Sequence, residues 1–215
     1  MGQHIKLKAS DGAEIGAWRG GGVVIQEIMG VNHHIRAVAD LYAAQGYLAI
    51  APALFDRVEP DFEVGYDGPS IQRGMAVVGK MNFDKTLLDI AAAIEAAGSA
   101  GKVGVVGYCF GGTIAWLAAC RLAGVAAASC YYGGMIVALK DETPRAPTIL
   151  HFGALDDHIP LAGVREIEAA HPGLPVYVYD DAGHGFNCDE RGSYHAASAA
   201  LARTRTLQLF RRNVG

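Results

Sequence analysis

Gly104-Val105-Val106-Gly107-Tyr108-Cys109-Phe110-Gly111-Gly112 runs from an apolar, β-branched segment into a glycine-flanked cysteine. Lys102–Gly107 predicts a buried strand, and Gly111–Leu122, rich in Ala and Leu, predicts a helix. Between them lies the pattern G-x-nucleophile-x-G, with cysteine where serine is more common. The chemistry asks for this setting. A sharp strand-to-helix turn holds the nucleophile in strained backbone geometry, and the small flanking residues let the chain fold back without clashes. The side chain then faces a cleft at a helix N-terminus, where the amide dipoles favour a thiolate. The amide of Phe110 becomes a candidate oxyanion donor. The bland alternative is a buried structural cysteine, which is how Cys120 and Cys130 are read. A nucleotide loop does not fit, because Gly107-x-x-x-Gly111-Gly112 is neither G-x-G-x-x-G nor a Walker sequence.

The same alternation extends outward. Val23–Glu27, Tyr47–Ala51, Ala126–Tyr131, Thr148–Phe152 and Val176–Tyr179 are predicted strands. Ile35–Gln45, Asp84–Ala97, Pro160–Ala170 and Ser193–Arg212 are predicted helices. Leu54–Met81 is the least regular part and is expected to form a loop or cap over a site. Strands that are continuously apolar and alternate with helices imply an α/β fold, a mostly parallel central sheet with helices on both faces. Residues 1–215 are expected to form a single domain. In such sheets, ligands bind beyond the carboxyl ends of the strands, so chemistry is sought there.

Composition narrows the class. The chain has 215 residues, 51% hydrophobic and 19% charged, which excludes a disordered chain. A net charge of −4 without basic clusters argues against nucleic acid as a partner. Ile114–Leu139 is apolar enough to mimic a membrane span, but Arg121 and the glycines at 124, 133 and 134 interrupt it. The start, Met1-Gly-Gln-His-Ile-Lys, lacks a secretory pattern. A soluble, cytoplasmic protein is expected, either a monomer or a weak homodimer. The four cysteines match no zinc spacing and are too few for a disulfide scaffold, so neither metal nor cofactor is expected.

Two further strand ends supply partners for Cys109. Thr148–Phe152 leads into Gly153-Ala154-Leu155-Asp156-Asp157-His158-Ile159-Pro160, and Val176–Tyr179 into Asp180-Asp181-Ala182-Gly183-His184-Gly185. A thiol nucleophile needs a base, and the base an orienting acid, in the chain order nucleophile, acid, histidine. Cys109, Asp156 and His184 satisfy order and placement. Of Asp156 and Asp157, one is expected to be catalytic and the other to cap the helix near Pro160. The histidines at 33, 34, 151, 158, 171 and 195 read as surface, supporting or helix-capping residues. Glu27 ends an otherwise apolar strand and is expected to face the same cleft, able to take or hold the thiol proton. Ile28 offers the second oxyanion amide.

Together, Gln26-Glu27-Ile28-Met29-Gly30-Val31-Asn32, Gly104–Gly112, Gly153–Pro160 and Ala182-Gly183-His184-Gly185-Phe186 resemble the dienelactone hydrolase family of α/β-hydrolases. The likeness runs from about Val23 to the last helix. It implies an α/β-hydrolase fold, a Cys-His-Asp triad, and hydrolysis of a small ester or lactone through an acyl-thioester, with the glutamate matching Glu27 helping to generate thiolate. It also implies arginines that grip a substrate carboxylate. One family position, four residues after the histidine, is Cys188 here. Arg73 roughly matches the other and is the candidate substrate-binding residue, while Arg191 lies close enough to stand in for the missing one. A general carboxylesterase or thioesterase on the same scaffold, and a redox-sensing thiol protein, are the alternative functions.

Overall fold

A computed structural model describes residues 3–19 and 22–215. The strands are β1 (Gln3–Lys8), β2 (Glu14–Arg19), β3 (Gly22–Ile25), β4 (Ala49–Pro52), β5 (Val103–Tyr108), β6 (Val125–Tyr131), β7 (Thr148–Gly153) and β8 (Val176–Tyr179). The α-helices are α1 (His33–Ala44), α2 (Gly68–Val78), α3 (Phe83–Gly98), α4 (Phe110–Arg121), α5 (Leu161–Ala170) and α6 (Ala196–Asn213). The strands form one 8-stranded sheet in the order β1-β2-β4-β3-β5-β6-β7-β8. From β4 to β8 every pairing is parallel, whereas β1–β2 and β2–β4 are antiparallel. The central parallel strands β5 and β7 are buried throughout, as their apolar runs require, and β8 at the edge is half-buried. Helix α4 packs against β5 and β6 and is buried from Phe110 to Cys120, which explains a sequence apolar on all sides.

The structure corrects the sequence reading in four places. The hairpin β1–β2 was not anticipated. Its strands alternate exposed and buried residues, with Lys and Glu on the wet side, and lack the apolar runs of the sheet centre. The segment Leu54–Met81 is not a plain loop. It holds a short 3-10 turn at Leu54–Arg57 and then α2, with Asp67 as N-cap accepting from the Ser70 amide (2.9 Å) and a proline in the first turn. Strand β3 stops at Ile25, so Glu27 belongs to the loop that follows rather than to the strand. The last helix starts at Ala196 instead of Ser193. Among the described residues, no helix is long and apolar enough to cross a membrane.

Candidate active site

The turn between β5 and α4 is as sharp as its sequence demands. Cys109 has φ 54° and ψ −115°, a region that costs a residue with a side chain of order 1–3 kcal/mol and persists only where the surroundings enforce it. The surroundings do so. The Cys109 amide donates to the Tyr131 carbonyl (3.0 Å), and the amides of Gly112 and Thr113 donate to the Cys109 carbonyl. A Cβ on Gly107 would lie 1.9 Å from the Gly111 carbonyl oxygen, so no other residue fits there. Phe110 begins α4, and its amide is one of the first-turn donors without an intrahelical acceptor.

The ends of β7 and β8 bring the acid and the base to this sulfur. His184 Nε2 lies 3.2 Å from Cys109 Sγ, and His184 Nδ1 lies 2.8 Å from Asp156 Oδ2. Asp156 is buried, and its other oxygen accepts from the amides of His158 (2.8 Å) and Ile159 (3.1 Å). Ser193 Oγ donates to the His184 carbonyl (2.6 Å), fixing the loop. Asp156 therefore both orients His184 and caps its own turn, the two roles that the sequence reading divided between neighbours. Burial opposes charge on Asp156, but the His184 hydrogen bond, the imidazole charge and the two amides outweigh it and lower its pKa. For His184, burial likewise opposes charge. The hydrogen bonds to Asp156 and Cys109 overcome it and raise the imidazole to about 10.

Glu27 follows β3 and is fully buried. Gln26 fixes its loop by accepting from the Leu54 amide (3.1 Å) while its own amide donates to the Glu27 carbonyl (3.4 Å). Ile28 is buried in the same loop. One Glu27 oxygen accepts from Tyr66 Oη (3.2 Å), which itself accepts from Asn32 Nδ2 (3.0 Å). The other has no hydrogen-bond partner and lies 3.8 Å from Arg191 Nη1. Arg191 reaches this point because Gly185 has no side chain. A Cβ there would sit 2.6 Å from the Arg191 guanidinium. The guanidinium also lies over the Tyr66 ring. Burial first, then the charge of Glu27, push the Tyr66 and Tyr132 hydroxyls upward, and Cys188 is raised to about 12 by the same two causes.

Arg73 is not brought to this cluster. Its exposed guanidinium pairs with Glu59 (2.7 Å) and lies over the Phe62 ring. The Arg73 charge is paired with a neighbouring acid, and Arg191 is the cation beside Glu27. Two histidines also depart from expectation. His151 is a core residue bridging Tyr179, Ser129 and Thr206, and burial, followed by Arg205, drives it down to about 3. His34 is buried and faces Glu27 and Cys188. Tyr66 and Tyr132 escaped the sequence reading because each comes from a segment without motif, and only the fold brings them to the site.

The model of the dienelactone hydrolase family matches residues 16–214. This chain belongs to that family. It is 37% identical over 207 residues to a provisionally named carboxymethylenebutenolidase of Synechocystis sp., covering 87% of this chain and 84% of that one. It is 32% identical over 223 residues to the carboxymethylenebutenolidase of Pseudomonas putida, covering 95% and 94%. A crystal structure of a provisionally named dienelactone hydrolase from Klebsiella pneumoniae superposes with a TM-score of 0.85 at 29% identity, covering 99% of both chains. The fold is thus an α/β-hydrolase fold and the protein an enzyme of the hydrolase class.

Proposed function

We propose that this enzyme hydrolyses a small carboxylic ester or lactone through an acyl-thioester on Cys109. One observation carries the reading. A single imidazole links the elbow sulfur, 3.2 Å away, to a buried carboxylate 2.8 Å away on its far side. With His184 protonated, the sulfur carries the negative charge and attacks the substrate carbonyl. The amides of Phe110 and Ile28 receive the oxyanion. The carbon–oxygen bond to the leaving group breaks, and His184 gives that oxygen its proton. His184 then takes a proton from water, which attacks the thioester, releasing the acid and restoring the thiolate–imidazolium pair. Before substrate enters, Glu27 is a buried carboxylate able to take or hold the thiol proton, and the protein needs no cofactor for any step.

The substrate class is the finer part of the proposal. Cys188 stands where relatives acting on dienelactone are expected to carry an arginine, and Arg73 is paired with Glu59. That favours an ester or lactone without an obligatory carboxylate, with Arg191 as the remaining cation at the cleft lined by Tyr66, Asp67 and Glu190. The test is a panel of lactones, p-nitrophenyl esters and acyl thioesters, each in anionic and neutral versions, run on wild type and Cys109→Ala. Turnover by the wild type that Cys109→Ala loses is the expected result. Turnover that survives in Cys109→Ala overturns the covalent mechanism, and oxidation of Cys109 without turnover of any ester favours the sensor.

A further inference from the structure

We propose that Glu27, His34 and Cys188 form a buried site for one zinc ion, distinct from the Cys109–His184–Asp156 line. One ligand atom from each of the three lies within 4.8 Å of the other two, and all three residues are buried. Two of the three residues carry an atom without a hydrogen bond: Glu27 Oε1, which has only the Arg191 charge 3.8 Å away, and His34 Nε2, in residues 0% and 4% exposed. Buried polar atoms are normally paired, and two such atoms facing one thiol are what an ion would satisfy. The histidine is also oriented from behind. His34 Nδ1 lies 3.2 Å from Asp189 Oδ1, so the ring donates there and leaves the Nε2 lone pair directed inward. This carboxylate–histidine arrangement is how metal-ligating imidazoles are fixed.

Each donor is held by its own backbone. Glu27 lies on the loop that Gln26 ties to Leu54. His34 is in the first turn of α1, capped by Asn32. The Cys188 amide donates to the Gly185 carbonyl (2.9 Å). A sulfur, an imidazole and a carboxylate suit a borderline-soft divalent ion and not magnesium or calcium, which take oxygen. Zinc at roughly 2.0–2.3 Å from each donor needs the three atoms to draw inward by about an ångström and leaves a fourth position open. Carboxylate and thiolate balance the ion's two charges, the thiol proton leaving to solvent, so Arg191 at 3.8 Å from Glu27 faces no net positive charge. The sequence reading expects no metal from the cysteine spacing, and positions 27, 34 and 188 follow no local spacing that would suggest one. Glu27 also belongs to the proposed hydrolytic site, so zinc occupancy lowers turnover. That consequence rests on the hydrolytic reading, but the binding does not.

The test uses full-length, chelator-stripped protein titrated with zinc chloride against a chromophoric indicator, and with cobalt chloride to observe a thiolate-to-cobalt charge-transfer band in the near ultraviolet. Wild type and Cys109→Ala are expected to bind one equivalent and show the band. Cys188→Ala abolishes the band, and His34→Phe weakens binding at least as much as Asp189→Asn. Asp189→Asn, at a side chain 70% exposed and so without risk to folding, weakens zinc by roughly 10- to 100-fold. Absence of a one-equivalent site in the wild type overturns the proposal. So does unchanged affinity in Asp189→Asn, or a band that vanishes in Cys109→Ala and persists in Cys188→Ala. Since Cys109→Ala has no nucleophile, a failure here is separate from a failure of the hydrolytic reading.

Discussion

Cys109 and Cys188 each have a histidine and a carboxylate for neighbours, and each of those histidines has its Nδ1 on an aspartate. There the likeness stops. Around Cys109 every polar atom of the line is engaged, from the sulfur through both nitrogens of His184 to both oxygens of Asp156. Around Cys188 the far nitrogen of His34 and one oxygen of Glu27 have no hydrogen bond, the oxygen facing only the Arg191 charge at 3.8 Å. The supporting aspartates differ too. Asp156 is 4% exposed, whereas the Asp189 side chain is 70% exposed. A hydrogen-bonded line with its acid in a low dielectric is set to move a proton, since charge on the imidazole is matched by a charge that water cannot screen. An unpaired set of donors backed by a wet aspartate is set to receive something from outside. The same three residue types thus acquire different chemistry from hydrogen-bond satisfaction and from the turn geometry that only Cys109 possesses.

The contrast breaks most visibly at the acid. His184→Ala and Asp156→Asn are each expected to cost roughly 10³- to 10⁴-fold in kcat for the best ester substrate, the range found when a triad loses its base or orienting carboxylate. Asp157→Asn, at an exposed position, is expected to change kcat by less than about threefold. Thermal unfolding of all three variants verifies that the fold is kept. A large loss in Asp157→Asn with little in Asp156→Asn would assign the acid to the wrong neighbour.

How much of this was legible in sequence follows the same division. Gly107–Gly112, Asp156 and His184 lie immediately after strands, and strand ends can be located from apolar runs and glycines. Their mutual approach then follows from the order of a parallel sheet. The Glu27 surroundings could not be read that way. Tyr66, His34, Cys188 and Arg191 come from loops and a helix start, where chain order says nothing of distance. His34 is not separable in sequence from the other surface, supporting or helix-capping histidines, because its burial depends on packing against a loop 155 residues away. The hairpin β1–β2 was missed for a simpler reason, since antiparallel edge strands wet on one side lack the apolar run that marked the others.

The two cysteines should also part company in solution. Iodoacetamide at neutral pH is expected to alkylate Cys109 at least roughly 100-fold faster than Cys188, Cys120 or Cys130, read by peptide mass spectrometry over a time course. Cys109 is partly exposed beside an imidazole, whereas the other three are buried. Burial, followed by nearby acids, holds Cys120 and Cys188 near 12, and burial pushes Cys130 well up. Equal labelling of all four in folded protein would remove the distinction on which the nucleophile assignment stands.

The last effect concerns pH and stability, and the comparison of variants isolates the ion pair. His184 is raised from 6.5 to about 10, so its contribution to stability is complete below about pH 6.5 and is lost as pH rises through 10. Asp156 is lowered from 3.8, so its contribution is present above pH 3.8 and is lost only as pH falls below that value. The wild-type melting temperature is therefore expected to decline between pH 7 and 10. Asp156→Asn replaces the carboxylate that raises His184 with a neutral amide, so the same scan should decline less, and NMR of the His184 ring should show its titration midpoint shifted down. His34→Phe leaves both of those hydrogen bonds in place and should retain the full wild-type slope. An Asp156→Asn slope equal to that of the wild type would mean that the imidazole does not draw its proton affinity from the buried carboxylate.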